Sequence, residues 1–284
     1  MNHYLIENGY IPLDKSWIIR MGLLDLLNSH KNIIEFLEKQ KNLSDDLKAL
    51  YRALIDWNSD EPIDVGESGT LYRFLKFASW KLGLKKEFIL SGTLKNRNIC
   101  DNPEIINWPQ EKLITLDGGT SQWASAAALA GDDEEIDNPP YKLKITYEAI
   151  KHWKTSNWEI RFDKTILAQA SAYLQWLKTG KMDFKPEQAE DYCFARAFDL
   201  ISAEEGEKLW PSLHGHESDR IKEMEEQLQK EKITSKDHRV VHAIAMLRKS
   251  KENVQNPECV NKSWPQFWMF LQDSVELANK AKHQ

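Results

Sequence analysis

The sequence lacks any apolar run long enough to cross a membrane. A helix that spans the hydrocarbon core of a bilayer needs about 20 consecutive apolar residues, and charged residues interrupt every apolar stretch here well before that length. The first residues also lack the basic segment and the apolar core of a secretory signal peptide. We therefore expect a cytoplasmic protein that does not contact a membrane.

Cysteine is scarce as well. The three cysteines, Cys100, Cys193 and Cys259, are far apart in the sequence. An odd number of widely spaced cysteines predicts neither a disulfide framework nor a zinc site. Oxidative cross-links and structural zinc are therefore excluded from the expected sources of stability.

An excess of positive charge is also missing, since the formal net charge is −6. Nothing in this balance favours nucleic acid or an anionic membrane as a partner. A hydrophobic content of 41% beside 29% charged residues is typical of a soluble globular chain. The 284 residues suffice for one large domain or two smaller ones, and packing in a core is the default role of the 11 tryptophans.

One stretch combines a base, a carboxylate and an arginine at the start of a helix. It follows the turn signal Trp210-Pro211, and the apolar spacing from Ile221 onward predicts an amphipathic helix. His216, Glu217 and Arg220 then lie in the loop and first turn, where free backbone N–H groups attract anions. The alternative is a capping carboxylate beside a solvated arginine.

Similar junctions recur along the chain, each joining small or hydroxyl residues to a helix start. They contain Lys15, Ser16 and Arg20; Gly69, Thr70 and Arg73; and Thr120, Ser121 and Gln122. Ser16 is predicted to cap a helix that runs through Leu24. Each junction alone could be an ordinary turn before a capped helix, but three of them favour a shared anionic ligand.

The remaining segments add candidate residues. Lys95 and Arg97 form a short basic loop, and Asp191 lies in the first turn of a helix predicted near 189–201. The alternation at 158–162 predicts a strand. Ser263 and Pro265 are expected to begin the terminal helix.

In this order the motifs resemble those of the enolpyruvyl transferase family. The matching segments are Lys15-Ser16 with Arg20, Gly69-Thr70 with Arg73, Thr120-Ser121-Gln122, His216-Glu217-Ser218-Asp219-Arg220, Asp237-His238-Arg239 and Lys262-Ser263-Trp264-Pro265. Each motif is short, but their joint order spans nearly the whole chain. Histidine stands at 216 where the family has lysine, and the chain is shorter than family members.

The resemblance implies an α/β (α+β) fold of two domains. Each domain would consist of βαβ-type repeats with helices inside and sheets outside, several strands being shortened or missing. The first domain would comprise 1–14 and 157–284, and the second 15–156. The resemblance also implies a monomer without a metal or cofactor.

The implied reaction moves the enolpyruvyl group of phosphoenolpyruvate to the 5-hydroxyl of shikimate 3-phosphate and releases phosphate. By motif match the catalytic residues would be Asp191, Glu217 and Lys15. The acceptor would be held by Lys15, Ser16, Arg20, Thr120, Ser121, Gln122, Tyr141 and His216. Phosphoenolpyruvate would be held by Gly69, Lys95, Arg97, Gln122, Arg220, Arg239 and Lys262.

Two alternatives to this reaction stay open. A shortened relative could bind an anionic ligand or a protein partner without turnover, or it could use another phosphorylated or carboxylated acceptor. Both proposed substrates carry several negative charges. A binding cleft in this acidic chain must therefore concentrate its cations locally.

Overall fold

The computed structural model describes residues 1–131, 139–155, 159–214 and 219–282. The fold is mostly helical, with 63% helix and 3% strand. In these ranges the only sheet is a parallel pair, β1 (Ile63–Asp64) and β2 (Phe88–Ile89), with Ile63 opposite Phe88. None of the helices in the described ranges has the length and apolarity needed to span a bilayer.

The prediction of βαβ-type repeats with helices inside and sheets outside is therefore wrong. Valine, a strong strand former, occurs only six times in the sequence, whereas the helix formers leucine, alanine, lysine and glutamate are abundant. Residues 159–161 of the predicted strand are not in a strand. Several of the motifs mark helix starts, but they carry no information about the segments between them.

The chain forms two compact units. One, here called the continuous unit, comprises Leu13–Arg161, and the other, the split unit, comprises Met1–Pro12 together with Phe162–Gln284. Asp14 N donates to Arg161 O at 2.8 Å, so the two ends of the continuous unit lie side by side. In the split unit, Asp163 N donates to Pro12 O at 2.9 Å at the point where its two segments meet.

The continuous unit holds eight helices in its described residues in addition to the strand pair. They are α2 (Lys15–Leu27), α3 (Asn32–Glu38), α4 (Asp45–Asp56), α5 (Gly69–Lys81), α6 (Gln110–Leu113), α7 (Leu116–Gly119), α8 (Gln122–Leu129) and α9 (Lys144–Lys154). Its core surrounds α2, which packs against α4, α5, α8 and α9. Burial on almost every side of α2 matches its nearly continuous apolar sequence.

The described residues of the split unit form helices and 3₁₀ turns, with one isolated parallel β-bridge between Ile233 and Val254. Its helices are α1 (Asn2–Glu7), α10 (Lys164–Thr179), α11 (Tyr192–Ala197), α12 (Ala203–Leu209), α13 (Arg220–Gln229), α14 (His238–Arg248) and α15 (Phe267–Lys282). Its core has α14 packed on α11 and on the 3₁₀ turn Pro257–Lys262. Trp264 is fully buried, and its indole N–H donates to Tyr10 O at 2.6 Å, which fixes the N-terminal segment in this core.

Aspartate caps three of the helices whose first turns contain residues of the predicted motifs. Asp14 accepts a hydrogen bond from Trp17 N and thereby caps α2, so the prediction that Ser16 is the cap is wrong by two positions. Asp219 and Asp237 cap α13 and α14 in the same way. The terminal helix begins at Phe267, after Ser263 and Pro265 rather than at them.

Candidate functional site

The starts of three helices gather at one end of the continuous unit. Arg20 Nε donates to Thr146 Oγ1 at 2.9 Å, and that hydroxyl donates to Ser125 Oγ at 2.9 Å. The Arg20 guanidinium also lies 5.5 Å from the centre of the Phe74 ring. Arg20, Phe74 and Ser125 lie in the first or second turn of α2, α5 and α8. The first two turns of these helices therefore lie close together, and the positive end of a helix dipole favours an anion.

A hydrogen-bonded cluster connects α5 to α8 at this end. Arg73 Nε donates to Asp117 Oδ2 at 2.6 Å, and Arg73 Nη1 donates to Gln122 Oε1 at 2.7 Å. Gln122 Nε2 in turn donates to Thr70 Oγ1 at 2.8 Å. No described residue accepts a hydrogen bond from Arg73 Nη2. This N–H group is therefore the part of the guanidinium that is available to a ligand.

Gly69 leaves room for two guanidinium groups. A Cβ atom at this position would lie 2.9 Å from Arg73 Nη1 and 3.0 Å from Arg97 Nη1. Arg97 Nη2 also donates to Thr93 Oγ1 at 3.2 Å. Lys95, the other candidate of this loop, is exposed. The structure thus brings Arg97, and not Lys95, to Gly69. We call Gly69, Thr70, Arg73, Arg97, Asp117 and Gln122 the continuous-unit cluster.

Asp117 is a member of this cluster that the sequence motifs do not reveal. Its carboxylate is 5% exposed and accepts hydrogen bonds from Arg73, from Cys100 N at 2.9 Å and from Trp123 Nε1 at 2.8 Å. The residue has a left-handed φ of 48°, which aspartate tolerates better than most residues. An Asp-Gly-Gly sequence directly before a helix start is the signal that could have identified it.

The acceptor candidates of α2 lie beside the cluster or are paired with other groups. Lys15 Nζ forms an ion pair with Asp46 Oδ2 at 2.7 Å, and the Ser16 side chain is exposed at the helix start. Arg20 is 6% exposed, and burial lowers its pKa to about 10, so it remains charged at neutral pH. Within the described residues no carboxylate forms an ion pair with Arg20. An anion would offset the cost of burying this charge.

The remaining acceptor candidates of the continuous unit do not all lie together. Thr120 and Ser121 lie directly before Gln122, and Thr120 Oγ1 accepts from Gln122 N at 3.4 Å. Tyr141 is 88% exposed and contacts none of the other candidates. Its neighbour Lys142 instead donates to Gly119 O at 3.3 Å. The sequence motifs do not include this lysine.

The split unit contains a second group of cations at helix starts. Arg220 Nε donates to Asp237 Oδ2 at 3.0 Å, and Asp237 Oδ1 accepts from Arg239 N at 2.9 Å. Burial alone would raise the pKa of Asp237, but the charges of Arg220 and Arg239 outweigh this effect and lower it to about 2. Cys193, near the start of α11, is buried, and burial raises the pKa of its thiol. Helices α11, α13 and α14 pack against one another here.

Lys262 and Asp191 complete the predicted residues of the split unit. Lys262 ends the 3₁₀ turn that packs on α14 and is half-buried. Asp191 is 5% exposed, and its carboxylate accepts hydrogen bonds from Gln169 Nε2, Glu187 N and Gln188 N. These contacts make Asp191 part of a capping box before α11. His216 and Glu217 lie outside the described residues.

Metal ligands do not cluster in the part of the chain that the structure describes: no group of three histidine, cysteine, aspartate or glutamate side chains there is placed to hold an ion. The chemistry available is that of cations, hydroxyls and helix N-termini around an anion. Comparison with family models, curated proteins and solved structures found no match.

Proposed function

We propose that the chain binds phosphoenolpyruvate and transfers its enolpyruvyl group to a phosphorylated acceptor, with shikimate 3-phosphate as the first candidate. The observation that carries this proposal is the continuous-unit cluster, in which Gly69, Thr70, Arg73, Arg97 and Gln122 meet at gathered helix starts. A cytoplasmic location belongs to the same proposal.

The cluster has the chemistry that a small phosphorylated carboxylate requires. Arginine offers planar, paired donors that match carboxylate and phosphate oxygens. Asp117 fixes the Arg73 guanidinium through Nε and leaves Nη2 for a ligand. The missing side chain at Gly69 lets the guanidinium groups of Arg73 and Arg97 approach the backbone closely. Arg20 adds a buried charge, which the nearby Asp14 carboxylate offsets only in part.

The reaction consists of addition followed by elimination. The acceptor hydroxyl oxygen bonds to C2 of phosphoenolpyruvate and loses its proton to a base, while C3 gains a proton. The bond from C2 to the phosphate oxygen then breaks, phosphate leaves, and the methyl group returns a proton to give the enol ether. Glu217 and Asp191 are the proposed proton carriers, by motif match alone.

A non-catalytic anion-binding protein is the second candidate, and the surroundings of Asp191 favour it. Three hydrogen bonds donated to its buried carboxylate are what a structural cap needs. A general base must instead present a free lone pair to its substrate. In this second candidate the cluster binds the same anion, but no phosphate is released.

Calorimetric titration with phosphoenolpyruvate and an assay of phosphate release, with and without shikimate 3-phosphate, separate the two candidates. We expect Gln122→Glu to weaken phosphoenolpyruvate binding by about 10–100-fold, because it places a negative charge where Gln122 contacts Thr70 and Arg73. The matched control is Gln110→Glu in α6, whose side chain contacts Tyr147 and no member of the cluster.

Three outcomes are decisive. Binding together with acceptor-dependent phosphate release supports the transferase. Binding without phosphate release, both with and without shikimate 3-phosphate, supports the non-catalytic protein. Absence of binding, or equal losses in the Gln122 and Gln110 variants, contradicts both candidates.

A further inference from the structure

An apolar groove lies in the split unit, on the surface formed by α1, α10 and α15. Its volume is about 610 Å³, within the range of small-molecule sites in proteins. The residues that line it are Met1, Tyr4, Leu174, Leu177, Lys178, Ser274, Leu277, Ala278 and Ala281.

The walls of the groove expose large apolar side chains to solvent. Tyr4 is 43% exposed and Leu277 is 53% exposed. A single exposed leucine is ordinary on a protein surface, but several that line one concave surface indicate an interaction site. An apolar ligand in the groove would remove this surface from water.

Two polar groups give the groove a specific chemistry. Ser274 is 5% exposed and lines the groove, and no described residue forms a hydrogen bond with its hydroxyl. Lys178 is the only charged residue among those that line it. A hydroxyl and an ammonium group beside an apolar wall together suit a molecule with an apolar chain and an anionic head.

We propose that this groove binds a single fatty-acid carboxylate, whose chain packs on the leucine and alanine side chains and whose head pairs with Lys178. The charge of the lining selects this occupant, because Lys178 carries its only charged side chain and most of the other lining residues are apolar. The site is separate from the continuous-unit cluster and does not depend on the proposed transferase activity.

Calorimetric titration with laurate, kept below its micelle concentration, tests the apolar wall. We expect Leu277→Glu to reduce laurate affinity by about tenfold or more, because it removes apolar contact area and adds a repelling charge. Met269→Glu is the matched control. Met269 is 44% exposed on the same helix but does not line the groove, so its change should leave laurate affinity within about twofold.

The charge of Lys178 is tested by comparing laurate with the uncharged dodecanol. We expect Lys178→Gln to weaken laurate binding by about tenfold and dodecanol binding little, whereas Lys164→Gln, at the other end of α10, should change neither. The proposal would be overturned if both members of either variant pair changed laurate affinity equally, or if the folded chain did not bind laurate. Binding to anionic vesicles alone, or a dimer that Leu277→Glu dissociates without laurate binding, would overturn it too.

Discussion

His242 shows how the environment of one residue makes stability depend on pH. Its ring is buried in the split unit, with its centre 4.4 Å from that of Phe267 and 5.3 Å from that of Trp264. Its Nε2 atom is buried and has no hydrogen-bond partner among the described residues. Burial, reinforced by the charge of Arg239, lowers the pKa of His242 to about 3. The ring is therefore neutral in the folded chain at any ordinary pH.

We expect His242 to destabilise the split unit as the solution becomes acidic. In the unfolded chain the ring binds a proton below about pH 6.5, whereas the folded chain excludes that proton until about pH 3. The stability that the neutral ring provides is therefore complete above about pH 6.5 and is lost as the pH falls toward 3, by up to about 1.4 kcal/mol per pH unit.

Urea unfolding at several pH values between these limits measures this slope. His242→Phe keeps an aromatic ring against Trp264 and removes the titrating group, so the slope should flatten. His3→Gln is the control, because the His3 side chain is 82% exposed. A slope that His242→Phe leaves unchanged would show that other groups cause the acid sensitivity.

Among single residues, the sequence predicts the residue types of the continuous-unit cluster but not which of them contact each other. Gly69, Thr70 and Gln122 are all motif residues, and the structure brings them together. Spacing along the chain cannot decide between Lys95 and Arg97, because that choice depends on how the loop turns. The motifs do not include Asp117 for a similar reason, because it contacts Arg73, 44 positions before it, and Trp123, 6 positions after it.

At the scale of elements, we expect a change at the start of α5 to alter ligand binding without lowering stability. Gly69 has ordinary helical backbone geometry, so alanine fits the helix and is the better helix former. The added Cβ atom would press on the ends of two flexible side chains, those of Arg73 and Arg97, which can shift by a few tenths of an ångström.

We expect Gly69→Ala to leave the melting temperature unchanged or slightly higher while phosphoenolpyruvate affinity falls, because both guanidinium groups move. Circular dichroism and calorimetry measure the two effects. Gly22→Ala is the opposite case, because its Cβ atom would lie 3.1 Å from Leu50 in the core, and it should lower stability without altering affinity. Unchanged affinity in Gly69→Ala would exclude this end of α5 from ligand contact.

Helices are the elements that the sequence predicts well, and strands are those it predicts badly. The helix expected from Ser16 through Leu24 is confirmed within α2, and the apolar spacing from Ile221 is confirmed by α13. Helical periodicity and an N-cap are local signals that a few residues carry. Apart from the strand expected at 158–162, the expected sheets came from the resemblance rather than from strand-forming residues, and only β1 and β2 are present in the described ranges.

At the scale of the whole molecule, the two units have separate hydrophobic cores. The continuous unit is one uninterrupted segment whose ends are hydrogen-bonded to each other, so all residues of its core lie in this one segment. We expect the fragment 13–161 to fold alone, to show a helical spectrum with cooperative melting, and to retain anion binding at its cluster.

A shorter fragment, 32–161, is the matched control. It lacks α2, the helix that the core of this unit surrounds, and should not fold. Phosphoenolpyruvate binding by the folded fragment 13–161 would assign the cluster to this unit alone. A fragment that is unfolded at 25 °C would contradict the independence of its core.

The split unit has a consequence for the order of events during synthesis. Tyr10 leaves the ribosome early, but its burial requires Phe270 and Trp264, which are made near the end of the chain. The continuous unit is complete once Arg161 has emerged. At about 5–20 residues per second, the first apolar segment waits several seconds or longer for its partners while the middle of the chain can already fold. Residues 1–12 are thus among the last of the split unit to reach their final place.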